Sequence, residues 1–166
     1  ILEALEKFDP EKKYKNIIHL QGDLPNISGD LIQKLAQVAN DPLKEITTVI
    51  VKAFPEEFDD PSVVKVVAAF KKDNPKIDDV GRALYFSRAC IPTGSGNIWH
   101  HVGIYAWRRS ILEKFVKLKP SPLEKSEKLE QLRALESGMQ IHTIITSEHP
   151  IGVDTRSDLI KAENYF

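Results

Sequence analysis

The sequence predicts an α/β fold on a mostly parallel sheet, with an antiparallel excursion around residues 63–86. Three observations lead there. Short apolar runs alternate with helix-patterned stretches, as in layered strand-and-helix proteins. Two of the runs, 63–67 and 83–86, follow one another with no helix between them, which suits an antiparallel pair. Two others end in an aspartate and a turn. Ile17, Ile18 and Leu20 lead into Gln21-Gly22-Asp23-Leu24-Pro25, and Ile141, Thr143, Ile144 and Ile145 lead to Gly152-Val153-Asp154-Thr155.

The elements follow in order. Ile1, Leu2, Leu5 and Phe8 are spaced as a helical apolar face. Residues 17–21 read as a buried strand. Ser28 is a candidate N-cap with Asp30 in the first turn, and Leu31, Ile32, Leu35 and Val38 form the apolar side of that helix. Asn40-Asp41-Pro42 ends it, because proline cannot continue a helix. The β-branched run 46–51 reads as a strand. Residues 54–60 are acidic and hold Pro55, so a loop is expected, as it is for 71–79 around Asn74-Pro75. Pro92, Gly94 and Gly96 mark a connection over 91–97. A strand is expected at 102–107 and a helix at 110–118, with Arg108-Arg109 a solvated patch at its start.

Ser121-Pro122-Leu123-Glu124 carries an N-cap serine, a proline at the first helical position and a capping-box glutamate. Leu129, Leu132 and Leu135 prolong an apolar face toward Gly138, placed as a C-cap, so one helix is expected here. A strand over 142–147 and a helix capped by Thr155, with Asp158 three residues on, complete the chain.

Composition narrows the function. The chain of 166 residues is long enough for one domain with a real core, and no repeat or second domain interrupts 1–166. A formal net charge of −1 leaves no electrostatic footprint for nucleic acid or an anionic membrane. One cysteine, Cys90, excludes an internal disulfide framework and a cysteine zinc site, and fits a cytoplasmic protein. No apolar run approaches the roughly 20 residues of a membrane helix.

The two aspartates carry the chemistry. α/β sheets place ligands at the carboxyl ends of their strands. Two carboxylates converging there suit Mg²⁺, a hard cation that shares oxygen ligands with phosphates. The residues alone leave a second reading open for each: Asp23 as a turn aspartate before Pro25, and Asp154 as a residue beside a helix N-cap, favoured there by the helix dipole.

Seven segments in order resemble one family, 3-deoxy-manno-octulosonate cytidylyltransferase, or CMP-Kdo synthetase. They are Leu20-Gln21-Gly22-Asp23, Asp60-Pro61-Ser62-Val63-Val64-Lys65-Val66-Val67, Ala83-Leu84-Tyr85-Phe86-Ser87-Arg88, His101-Val102-Gly103-Ile104-Tyr105-Ala106, Pro120-Ser121-Pro122-Leu123-Glu124-Lys125, Leu129-Glu130-Gln131-Leu132-Arg133 and Gly152-Val153-Asp154-Thr155. The resemblance implies a Rossmann-like doubly wound sheet, and a homodimer formed through the antiparallel excursion, roughly residues 54–97. It implies a cytoplasmic enzyme that moves CMP from CTP to the sugar acid Kdo for lipopolysaccharide synthesis, with release of pyrophosphate. Asp23 and Asp154 are then the catalytic Mg²⁺ ligands, and Gln21 and Gly22 contact the nucleotide. Arg88, His101, Tyr105, Glu130 and Gln131 line the sugar site, with His100 the easily confused neighbour of His101. Arginine suits the sugar's carboxylate because its planar fork binds such a group bidentately. Each of the five also has a plain reading as an ion-pair partner, a strand-end or core residue, or a solvated helix face.

The sequence departs from the family in three places. The family's opening strand and its Arg-, Ser-, Gly- and Lys-rich triphosphate loop have no counterpart, and Lys12-Lys13 is not such a loop. The expectation is a fragment lacking that segment; a molecule truly starting at Ile1 is expected to lack useful activity. Leu24 stands where the family usually has glutamate, and Arg156-Ser157 replaces Pro-Glu after Thr155. Two rivals are a cytidylyltransferase for another sugar acid, such as a sialic acid, and a non-catalytic sugar-acid or nucleotide-binding protein. The segments at 120–125 and 129–133 favour Kdo over the first.

Overall fold

The computed structural model describes residues 1–94, 96–149, 151–153 and 155–164. Its elements are α1 (Leu2–Phe8), β1 (Asn16–His19), α2 (Gly29–Ala39), β2 (Ile46–Lys52), a 3-10 turn (Pro55–Glu57), β3 (Lys65–Ala69), β4 (Val80–Ser87), β5 (Trp99–Arg108), α3 (Arg109–Phe115), α4 (Pro122–Glu127), α5 (Gln131–Glu136), β6 (Ile141–Thr146) and α6 (Arg156–Glu163). No described helix is long and apolar enough to cross a membrane.

The six strands form one sheet in the order β1-β5-β2-β6-β4-β3, with β3 also pairing the start of β5. Among the described residues only β2 and β6 pair in parallel; the other ladders are antiparallel. The sheet is therefore mixed, which corrects the expectation of a mostly parallel one. The cause is β5, whose ten residues run antiparallel between β1 and β2 and so separate strands that share a direction. The antiparallel excursion is present as the β3–β4 pair.

Burial follows strand alternation. On central β2, Ile46 and Ile50 face one side, with Trp107, Ile111, Leu112, Phe115 and Leu132. Val49 and Val51 face the other, against Leu31, Leu35 and Ala39 of α2. Those α2 residues recur every fourth position, and the Ser28 hydroxyl accepts the Leu31 amide at 3.0 Å to cap the helix. Burying Leu35 completely contributes about 1.5–3 kcal/mol. Arg109 is not a solvated residue. It is buried, with its guanidinium on the Asp9 carboxylate and carbonyl, and so ties the chain before β1 to the start of α3.

Candidate functional site

β1, β2 and β6 all point toward the edge where β5 begins, so their carboxyl ends lie together. One side of β5 is paired by β1 at 105–108 and by β3 at 99–100. His101 still donates its amide to the Val64 carbonyl at 2.9 Å. Among the described residues, 102–104 have no ladder partner on that side, and the sheet opens there. The register of β5 against β2 also slips, from Thr48 opposite Tyr105 to Val49 opposite Val102. Such bulges re-aim side chains beside functional sites. The Thr48 hydroxyl reaches the freed carbonyls of Ile104, at 2.8 Å, and Val102, at 3.2 Å.

Two adjoining cavities occupy this opening. The larger, about 560 Å³, is lined by Gln21, Arg88, His101, Tyr105, Glu130 and Gln131 among others. The six polar residues expected to contact substrate, on four separate stretches, thus face one space. The second, about 320 Å³, is bounded by Leu24, Glu57, Asp158 and the backbone around Gly152. Ser62, His100, His101 and Gly103 line both. Gly103 leaves room for the Gln21 side chain: a Cβ there would stand 2.9 Å from Gln21 Oε1 and push that amide aside.

His101 is buried, with Nε2 2.9 Å from the Thr48 hydroxyl and its ring edge-on to Phe86. The Thr48 proton is engaged by the Ile104 carbonyl, so the hydroxyl accepts from Nε2–H and leaves Nδ1 as the imidazole's acceptor. Burial, reinforced by the neighbouring His100, pushes His101 down to about 3. The consequence is measurable. The unfolded imidazole takes a proton near pH 6.5, and the folded one only near pH 3. Between those values the unfolded chain binds more protons, so stability falls as pH falls. His101 alone contributes a slope of up to about 1.4 kcal/mol per pH unit. Urea unfolding at pH 7, 6 and 5 should show this loss, with a shallower slope in His101→Gln. An unchanged slope would place the acid sensitivity elsewhere.

Tyr105 stays protonated, its hydroxyl pKa raised by burial and then by the Glu130 charge. Arg88 donates from Nη1 to the Pro61 carbonyl at 2.8 Å and from Nε to the Glu127 carbonyl at 3.2 Å. The Glu127 carboxylate in turn accepts the Arg88 amide and the Ser87 hydroxyl. The expected single helix over 122–137 is broken: Lys128 is left-handed (φ 57°), and α5 restarts after Glu130. That break turns Glu130 and Gln131 toward the cavity, and Arg133 holds the Glu130 carboxylate at 2.5 Å.

The two aspartate motifs meet through their backbones. Val153 donates to the Asp23 carbonyl at 2.9 Å, Ile151 donates to Asn26 Oδ1 at 2.7 Å, and the Ser28 hydroxyl donates to Glu148 at 2.6 Å. Asp23 Oδ1 is buried and has no hydrogen-bond partner among the described residues. Gly22 is exposed in the same turn. Asp154 lies outside the described residues. No cluster of three or more metal-ligating side chains occurs among the described residues. A buried carboxylate oxygen without a donor nevertheless has the character of a cation ligand.

Sequence reasoning passed over His19, Ser62 and Trp107, which also line the larger cavity. His19 was open to discovery: it lies two residues before Gln21 and so on the same strand face. Trp107 was open in the same way, two residues after Tyr105 on the expected strand; Ser62 had no comparable signal.

The mixed sheet and the cavity at its carboxyl edge define a nucleotidyltransferase-like α/β fold. UDP-glucose pyrophosphorylase in its apo form shares that fold, with a TM-score of 0.60 at 15% identity over 98% of this chain and 57% of its own. The chain belongs to the cytidylyltransferase family, whose model matches residues 1–141. The 3-deoxy-manno-octulosonate cytidylyltransferases of Brucella ovis and Brucella melitensis are each 48% identical to it over 99% of the chain. The chain spans 64% of the length of these curated relatives. A solved CMP:2-keto-3-deoxy-manno-octonic acid synthetase complexed with CTP superposes with a TM-score of 0.84 at 32% identity, over 98% of this chain and 66% of that one.

Proposed function

We propose that the complete protein transfers CMP from CTP to 3-deoxy-manno-octulosonate, releasing pyrophosphate, as a cytoplasmic step toward lipopolysaccharide. The observation that carries this reading is the gathering of Gln21, Arg88, His101, Tyr105, Glu130 and Gln131 around one cavity. Such a lining suits an anionic, polyhydroxylated acid. Arg88 faces the carboxylate, while Tyr105, Glu130, Gln131 and the His101 acceptor take hydroxyls. Gln21 and Gly22 are the proposed nucleotide contacts. The anomeric hydroxyl attacks the α-phosphorus, and pyrophosphate leaves.

Catalysis of this kind rests on positioning and charge stabilisation. Asp23, with its unpartnered buried oxygen, and Asp154 are the proposed Mg²⁺ ligands; the bound ion would neutralise phosphate charge. The β3–β4 region within residues 54–97 is the proposed homodimer contact.

The test is pyrophosphate release by the full-length protein from CTP and Mg²⁺, with and without Kdo. Release that requires Kdo is expected. A folded full-length protein that releases none would overturn the reading in favour of a binding protein, and release with a sialic acid instead would reassign the substrate.

A further inference from the structure

The reaction needs a group that takes the proton of the attacking hydroxyl. It must sit where the sugar and nucleotide meet, hold a free lone pair, and be unprotonated near neutral pH. His101 is a poor base, because its environment pushes it down to about 3. Tyr105 holds its proton, and the Glu130 carboxylate is engaged by Arg133. His19 lines the larger cavity alone.

His100 meets the requirements. It lines both cavities, at their junction. Its Nδ1 stands 2.9 Å from Glu57 Oε1, while Glu57 Oε2 accepts the Phe54 amide at 2.8 Å. The carboxylate is thereby fixed in the 3-10 turn and accepts from Nδ1–H, which leaves Nε2 as the lone-pair nitrogen. Its side chain and that of Glu57 are 20% and 17% exposed, so the pair is sheltered yet reachable. The groups around it come from four elements or their flanks: Glu57 of the 3-10 turn, His149 after β6 with its ring 6.4 Å away, Lys65 and Asp60 at the start of β3, and His101 beside it. Burial lowers the pKa of His100 against the opposing pull of Glu57, and His149 and Lys65 lower it further. The imidazole is then neutral at physiological pH.

Resting on the proposed transferase reading, we infer that His100 is the catalytic base, oriented by Glu57 as its positioning residue. Nε2 takes the hydroxyl proton as the sugar oxygen bonds to the α-phosphorus. The bond from that phosphorus to the pyrophosphate oxygen breaks, and its electron pair leaves with pyrophosphate. The imidazolium returns its proton to solvent.

The experiment compares full-length wild type, His100→Gln and Glu57→Gln for CTP- and Kdo-dependent pyrophosphate release across pH, alongside thermal melting. Wild-type kcat should rise with pH as His100 deprotonates. His100→Gln should lose about 10²-fold in kcat and lack that rise. Its KM for each substrate should stay within about threefold, since a base acts mainly in the transition state. Glu57→Gln should move the rise to lower pH, because the lost carboxylate favoured the charged imidazole. Were His100→Gln to keep wild-type kcat and the same pH limb, or change only KM and melting, the assignment alone would fall. A wild-type protein without Kdo-dependent release would instead overturn the transferase reading and the assignment with it.

Discussion

Replacing Asp23 with asparagine in the full-length protein is expected to reduce kcat for pyrophosphate release by about 10³-fold, roughly 4 kcal/mol of transition-state stabilisation. Stability should hold or rise. The two halves of this expectation come from one atom. Asp23 Oδ1 is buried without a partner among the described residues, so it contributes little to the resting fold and costs desolvation. Its use lies in the negative charge that the proposed Mg²⁺ site requires. Asparagine keeps the shape of the turn, and the Val153 amide still finds the Asp23 carbonyl, which belongs to the backbone. An aspartate that served only the turn before Pro25 would behave oppositely, with a lower melting temperature and nearly normal turnover. Isothermal titration with Mg²⁺ and a non-hydrolysable CTP analogue gives a readout independent of turnover; weaker Mg²⁺ binding in the variant is expected. Unchanged turnover and binding would remove Asp23 from the site.

The local signals of the sequence were strong where a side chain acts on its own backbone. Ser28 caps α2, Ser121 and Glu124 form the expected capping box, and Thr155 with Asp158 does the same at α6. Strand β6 falls within one residue of its expected place because a central strand is apolar on both faces. Features set by distant contacts were harder to see. The direction of β5 depends on which neighbours it finds, and nothing within its ten residues announces that. The break at Lys128 runs against a leucine spacing that favours continuity; it is stabilised by the Leu129 amide reaching the Glu124 carbonyl at 3.2 Å. His100 gained its candidate role only through Glu57, 43 residues earlier. For the cavity wall, the motifs held Gln21, Arg88, His101, Tyr105, Glu130 and Gln131, which the fold brings around one space, whereas Ser62, inside another motif, showed its place on that wall only in the fold.

Arg88→Lys should raise KM for Kdo by about 10²-fold, consistent with losing charge-assisted hydrogen bonds that contribute about 1.5–3 kcal/mol each. KM for CTP should change little. The charge survives this substitution, so the expected loss comes from geometry. The guanidinium spans two carbonyls, Pro61 before β3 and Glu127 at the end of α4, while Arg88 lines the cavity. A single ammonium cannot hold both carbonyls and offer two parallel donors to a carboxylate. The Pro61 tether also steadies the loop carrying Ser62, which borders both cavities. Lys65 supports the same loop from within the core, donating to the Asp60 and Val63 carbonyls at 2.7 and 2.6 Å. Because that second anchor survives, Arg88→Lys should remain folded, with the deficit confined to the sugar acid. Steady-state kinetics with each substrate varied in turn decides the matter. Equal losses for CTP and Kdo would mean that Arg88 acts on the loop as a whole, and an unchanged KM for Kdo would place the carboxylate elsewhere in the cavity.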